Sequence, residues 1–197
     1  MPKLLAVVAV ACTLLLWGGV VASEPTQDAP QPGSRPGELV PDIALAMLGD
    51  DPIRLTDLCA RKVVVLTFWE SWCRECRLKL RMLDSLASNY KSPEVALIAV
   101  NVQEDKATVR RFVSENKLNL PVALDRDGSA GKAFGAEELP MVVLIDKGGI
   151  LRTIHEGYDY RLASKLLDDF DTIFGGHDVN ASGKDFSPGN VTADKPD

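Results

Sequence analysis

Cys73 and Cys76 are the residues best suited to chemistry in this 197-residue chain. Two thiols with two residues between them can close a disulfide, hold a metal or exchange electrons with other thiols. The neighbouring sequence chooses among these. Val63, Val64, Val65, Leu66, Thr67, Phe68 and Trp69 form an apolar, β-branched run, the pattern of a strand buried on both faces. The residues after Cys73 carry a helical period. Cys73 therefore falls at a helix N-terminus, where unpaired backbone N–H groups and the helix dipole favour a thiolate. Cys76 falls one turn later on the same face, within disulfide reach. The first, exposed sulfur attacks and the second resolves. A passive staple would close only a tiny loop and constrain little. The remaining cysteines are Cys12 and Cys59, and the two histidines, His155 and His177, stand apart. No second Cys/His pair is present to complete a tetrahedral zinc site.

Residues 43–45 and 53–55, split by Gly49-Asp50-Asp51-Pro52, predict a short hairpin, and Thr56 a cap for a helical turn through Cys59. A helix over 74–90 follows the pair, with Leu78, Met82, Leu83 and Leu86 inward. Residues 95–102 read as a second buried strand, 105–116 as a helix, 121–124 as a strand and 129–134 as a short helix. Residues 141–145 and 150–155 form a hairpin around Asp146-Lys147-Gly148-Gly149. A last helix over 160–174 turns Leu162, Leu166, Leu167, Phe170 and Ile173 inward. The first half needs parallel strands with right-handed crossovers, and the second adds an antiparallel hairpin and a closing helix. The fold class is α/β: a central mixed β-sheet with helices on both faces.

Lys3 precedes an uncharged stretch over residues 4–22, the form of a secretory signal cleaved before Ser23 or of a retained membrane anchor. Lipidation at Cys12 fits poorly, since the apolar run continues past it. Residues 23–37 are rich in Pro and Gly and read as a tether, 38–174 as the folded domain, and 175–197 as a disordered tail. Net charge is −6, with 46% hydrophobic and 25% charged residues. That composition suits a globular domain and disfavours nucleic acid as a partner.

Residues 38–174 resemble the TlpA/ResA/CcmG-like branch of the thioredoxin superfamily. The resemblance rests on the run from Val63 to Trp69, on Trp72-Cys73-x-x-Cys76, on Ile53-Arg54-Leu55-Thr56-Asp57-Leu58 and on Leu139-Pro140-Met141-Val142-Val143-Leu144-Ile145-Asp146. It implies the thioredoxin-like fold, a cis peptide bond before Pro140, and thiol–disulfide exchange with client proteins. It also implies Trp72, Leu139 and Pro140 as a substrate-docking surface and an upstream membrane thiol reductant. No cofactor beyond the Cys73–Cys76 disulfide and no metal is implied. Many members are tethered outside the cytoplasmic membrane, and they often reduce apocytochrome c before haem attachment. The periplasm, or the outer face of the bacterial cytoplasmic membrane, is the expected location.

The chain departs from the branch around the pair. A buried acid is common three residues after the second cysteine, and Lys79 stands there. Thioredoxins carry a buried Asp six residues before the first cysteine, and Thr67 stands there. Arg81 replaces the helix proline, and Leu139 stands where Thr commonly precedes the cis proline. A nearby acid normally takes the resolving thiol's proton, so Glu75, Glu70 and Glu138 are the substitutes, with Glu75 first because it lies between the cysteines. Each also reads as a solvated surface carboxylate. Cys59 reads as a small buried apolar residue. Two other functions use the same residues. One is copper binding or delivery through Cys73, Cys76 and His155, as in Sco-like proteins, which place three residues between their cysteines. The other is a low-turnover binding module on the thioredoxin fold. Peroxiredoxin chemistry needs a Thr three residues before the cysteine and a Pro four before that, and Glu70 and Leu66 exclude it.

Overall fold

The computed structural model describes residues 33–174. The signal or anchor over 1–22, the linker as far as residue 32 and the tail over 175–197 lie outside the described residues.

The apolar run forms strand β3 (Val63–Trp69), and all seven residues are buried. Such a strand needs a neighbour on each edge and a layer on each face. Strand β4 (Val95–Val102) pairs with it in parallel, and β6 (Met141–Ile145) pairs antiparallel. Beyond β4 lies β5 (Val122–Asp125), also parallel, and beyond β6 lies β7 (Leu151–Glu156). The lead-in strands β1 (Ala44–Met47) and β2 (Ile53–Arg54) form the expected hairpin. That hairpin joins the main sheet through an antiparallel pairing of β1 with β5, giving the order β2-β1-β5-β4-β3-β6-β7.

Side chains alternate across this sheet. Val63, Val65 and Trp69 face one layer, with helices α2 (Arg74–Asn89), α3 (Lys106–Asn116) and α5 (Leu162–Ile173). Val64, Leu66 and Phe68 face the other, with α1 (Leu55–Cys59) and α4 (Ser129–Phe134). Cys59 is buried there as a free thiol, and burial with the nearby Asp146 pushes it up to about 11.

Three local readings change. Thr56 does not cap α1: the N-cap is Arg54, without a side-chain cap bond, and the Thr56 hydroxyl donates to Asp42 at 3.0 Å. Leu78 is 39% exposed, and Lys79 takes the inward position beside it. The buried stripe of α2 runs through Cys76, Leu80, Leu83 and Leu86 at helical spacing, and Lys79 belongs to it while Leu78 does not. The end of the Pro-rich linker is also fixed. Gly37 N–H donates to Leu151 O at 2.7 Å, and Val40 N–H to Gly149 O at 2.9 Å, so backbone pairing extends the ordered chain ahead of residue 38.

Leu83 is 1% exposed in the layer that carries α2. Leu83→Ala should destabilise the oxidised protein by about 2–5 kcal/mol, measured by denaturant unfolding. A loss below about 1 kcal/mol would mean that this layer collapses around the gap.

Candidate active site

The loop from Glu70 to Trp72 joins β3 to α2, so the strand's end and the helix's start meet at Cys73. Cys73 is the N-cap of α2, with extended backbone (φ −75°, ψ 115°). Its Sγ accepts the Cys76 N–H at 3.0 Å, one of the donors that a helix start leaves open. Sγ is also bonded to Cys76 Sγ, with the two Cα atoms 5.2 Å apart. Cys73 keeps 7% of its surface exposed, and Cys76 keeps none. Only the first sulfur is open to a partner.

Cys73 opens on a groove of about 530 Å³. Leu139 and Val102 form apolar wall, and Trp72, 73% exposed, stands at the rim. Glu70, Glu75, Glu137 and Arg74 also line it, three carboxylates against one guanidinium. The Leu139–Pro140 peptide bond is cis, and Pro140 is buried behind Leu139. Cys73, Trp72, Glu75 and Leu139 therefore share one groove, while Cys76 and Pro140 are buried.

The carboxylates separate on burial. Glu75 and Glu138 are exposed. Glu70 is half-buried, and its carboxyl is held above the usual range by burial and by the nearby Glu104. Burial thus favours a proton on Glu70, which lines the groove with Cys73.

His155 is not brought to the cysteines. Its Nε2 lies 3.3 Å from Asp169 Oδ2, and burial lowers its basicity while Asp169 opposes that. Among the described residues no cluster of three or more His, Cys, Asp or Glu side chains could hold a metal ion.

Residues 36–154, more than half of the chain, match the AhpC/TSA family model. The chain belongs to the AhpC/TSA family. It is 36% identical over 121 residues to the thiol-disulfide oxidoreductase ResA of Geobacillus thermodenitrificans, covering 61% of this chain and 69% of that one. It is 33% identical over 124 residues to ResA of Halalkalibacterium halodurans, covering 63% and 70%. A crystal structure from Chlorobium tepidum, described as a candidate thiol:disulfide interchange protein DsbE, superposes with a TM-score of 0.65 at 26% identity. That match covers 72% of this chain and 99% of the other.

In this AhpC/TSA member the strand-to-helix loop is clamped by a residue that the sequence reading missed. Glu104, just after β4, accepts Ser71 N–H at 2.7 Å, the Ser71 hydroxyl at 2.5 Å and Asn101 Nδ2 at 2.6 Å. Gln103 precedes it with φ +57°, a left-handed conformation that turns the chain out of the strand. Asn101, fully buried within an otherwise apolar strand, was the available signal. Glu104→Ala should lower stability by about 1–3 kcal/mol, since it strips a charged acceptor from three donors, and denaturant unfolding measures it. No change would show that the loop holds itself.

Lys79 is the second surprise. It is 1% exposed, and its amine donates to Pro140 O at 3.3 Å and His155 O at 3.4 Å. Burial lowers it to about 8 from 10.5, with Asp159 opposing the shift. The unfolded chain then binds the extra proton between those values, so folding gains stability as pH rises through them. Lys79→Met removes this gain. Wild-type stability relative to that variant should rise by about 3 kcal/mol between pH 8 and 10.5, read from paired unfolding curves. Parallel curves would mean that the amine titrates as in water.

Proposed function

We propose that this thiol–disulfide oxidoreductase exchanges disulfides with client proteins outside the bacterial cytoplasm, using Cys73 as attacking and Cys76 as resolving sulfur. The observation that carries the reading is the disulfide at the start of α2, one sulfur open to a groove and the other sealed. In the reducing direction, the Cys73 thiolate attacks a client disulfide and releases one client thiolate. Cys76 then attacks Cys73 in the mixed disulfide, releasing the second client sulfur and re-forming the S–S bond. The N–H groups at the helix start favour the Cys73 thiolate in that first step. Trp72 and Leu139 supply apolar contact for an extended client segment, and Pro140 backs the groove. Glu75 lies at the rim, and Glu70 is the carboxyl placed to exchange the proton.

The extracytoplasmic location is supported by the apolar stretch over residues 4–22, which fits a signal or a tether. Among the described residues no helix is long and apolar enough to cross a membrane. Apocytochrome c is the client proposed from the resemblance, and a membrane thiol reductant is the proposed source of electrons.

Cys76→Ser leaves the attacking sulfur and removes the resolving one. In cells this variant should accumulate reductant-sensitive mixed disulfides with client proteins, visible on non-reducing gels. The exchange reading fails if nothing is trapped while Cys73 still reacts with an alkylating reagent.

A further inference from the structure

Lys79 lies one turn beyond Cys76 on the same buried stripe of α2. Helical side chains lean toward the helix N-terminus, so its stem runs back over the turn that holds Cys76. The amine is fixed there by the carbonyls of Pro140 and His155. Leu139, next to Pro140, shares the groove with Cys73. The amine is thus tied, through Pro140, to the segment that lines the groove with Cys73, on the buried stripe that Cys76 begins. Thr67 reaches this layer from β3, opposite Val142, and its hydroxyl is buried without a hydrogen-bond partner among the described residues.

The charges facing the amine come from two elements and a loop. His155 on β7 has its ring against Asp169 of α5. Asp159, before α5, pairs with Lys165 at 2.6 Å and lies 3.9 Å from Arg161. No ion pair reaches Lys79 among the described residues. Its two direct acceptors are neutral carbonyls, and Asp159 favours its charge without an ion pair. The neighbouring group that gains negative charge on reduction is the thiol pair.

Resting on the exchange reading, we propose that Lys79 is the positioning residue for charge at this site, holding one sulfur of the reduced pair as thiolate and so raising its reduction potential. The dithiol of the upstream thiol reductant gives two electrons. The Cys73–Cys76 bond breaks and the reductant's S–S bond forms. Of the reductant's two protons, one goes to a thiol of the pair and the other to solvent, because the second sulfur stays ionised. Burial has already lowered the amine to about 8, so a thiolate beside it gains by keeping it charged.

Lys79→Met keeps the stem and removes the charge, and Lys79→Gln keeps a polar head without charge. Two quantities are read on the full reduced chain: thiolate absorbance against pH, and the equilibrium of the pair with glutathione. In both variants the thiolate should form roughly one pH unit higher, and the equilibrium should move roughly tenfold toward the disulfide, about 30 mV in potential. Circular dichroism confirms the fold, and Lys79→Gln decides if Lys79→Met does not fold. Variants that titrate and equilibrate as wild type does, or shift the other way, overturn the proposal. The thiolate titration needs no client, so a wild-type protein that exchanges with nothing would sink the exchange reading and still leave Lys79 tested.

Discussion

Every residue of β3 is buried, and the strand carries a neighbour on both edges and a helical layer on both faces. A chain leaving such a strand has one route out, at its end. There α2 must turn back at once to cover the face that Val63, Val65 and Trp69 present. The turn is three residues long, so the helix start falls against the strand's last turn of chain. Cys73 occupies that point, and its sulfur becomes the cap of the helix. The pair is placed by packing of the central strand, and Glu104 then fixes the loop that packing leaves short of hydrogen bonds.

This dependence explains what the sequence made legible. The continuous apolar runs of Val63–Trp69 and Val95–Val102 are strong signals because both strands are buried on two faces, and their bounds agree with the structure. The cysteine pair was legible for the same reason, since its context is a strand followed by a helix. Lys79 was not read as buried, because a lysine is inward only where carbonyls from distant segments meet it, here Pro140 and His155. Glu104 was missed because its role depends on a left-handed Gln103 and on a loop 33 residues earlier in the chain. The pairing of β1 with β5 joins segments that no local pattern connects.

The two sulfurs meet opposite electrostatic surroundings. Outside, the groove presents Glu70, Glu75 and Glu137 beside Arg74. Inside, the α2 layer that buries Cys76 also buries the Lys79 amine, and the Thr67 hydroxyl there has no hydrogen-bond partner among the described residues. Low dielectric makes the inner charge matter more than any one of the exposed carboxylates. The family resemblance supplied an acid at the inner position, and this chain reverses its sign.

The backbone bonds of Gly37 and Val40 to Leu151 and Gly149 anchor the start of the described chain at the β6–β7 turn. Because β6 runs antiparallel to β3, that turn lies at the pole of the sheet opposite Cys73. Five residues of β6 separate the poles by about 17 Å. The backbone pairing of residues 37–40 is therefore made at the base of the domain, and the working edge faces away from it.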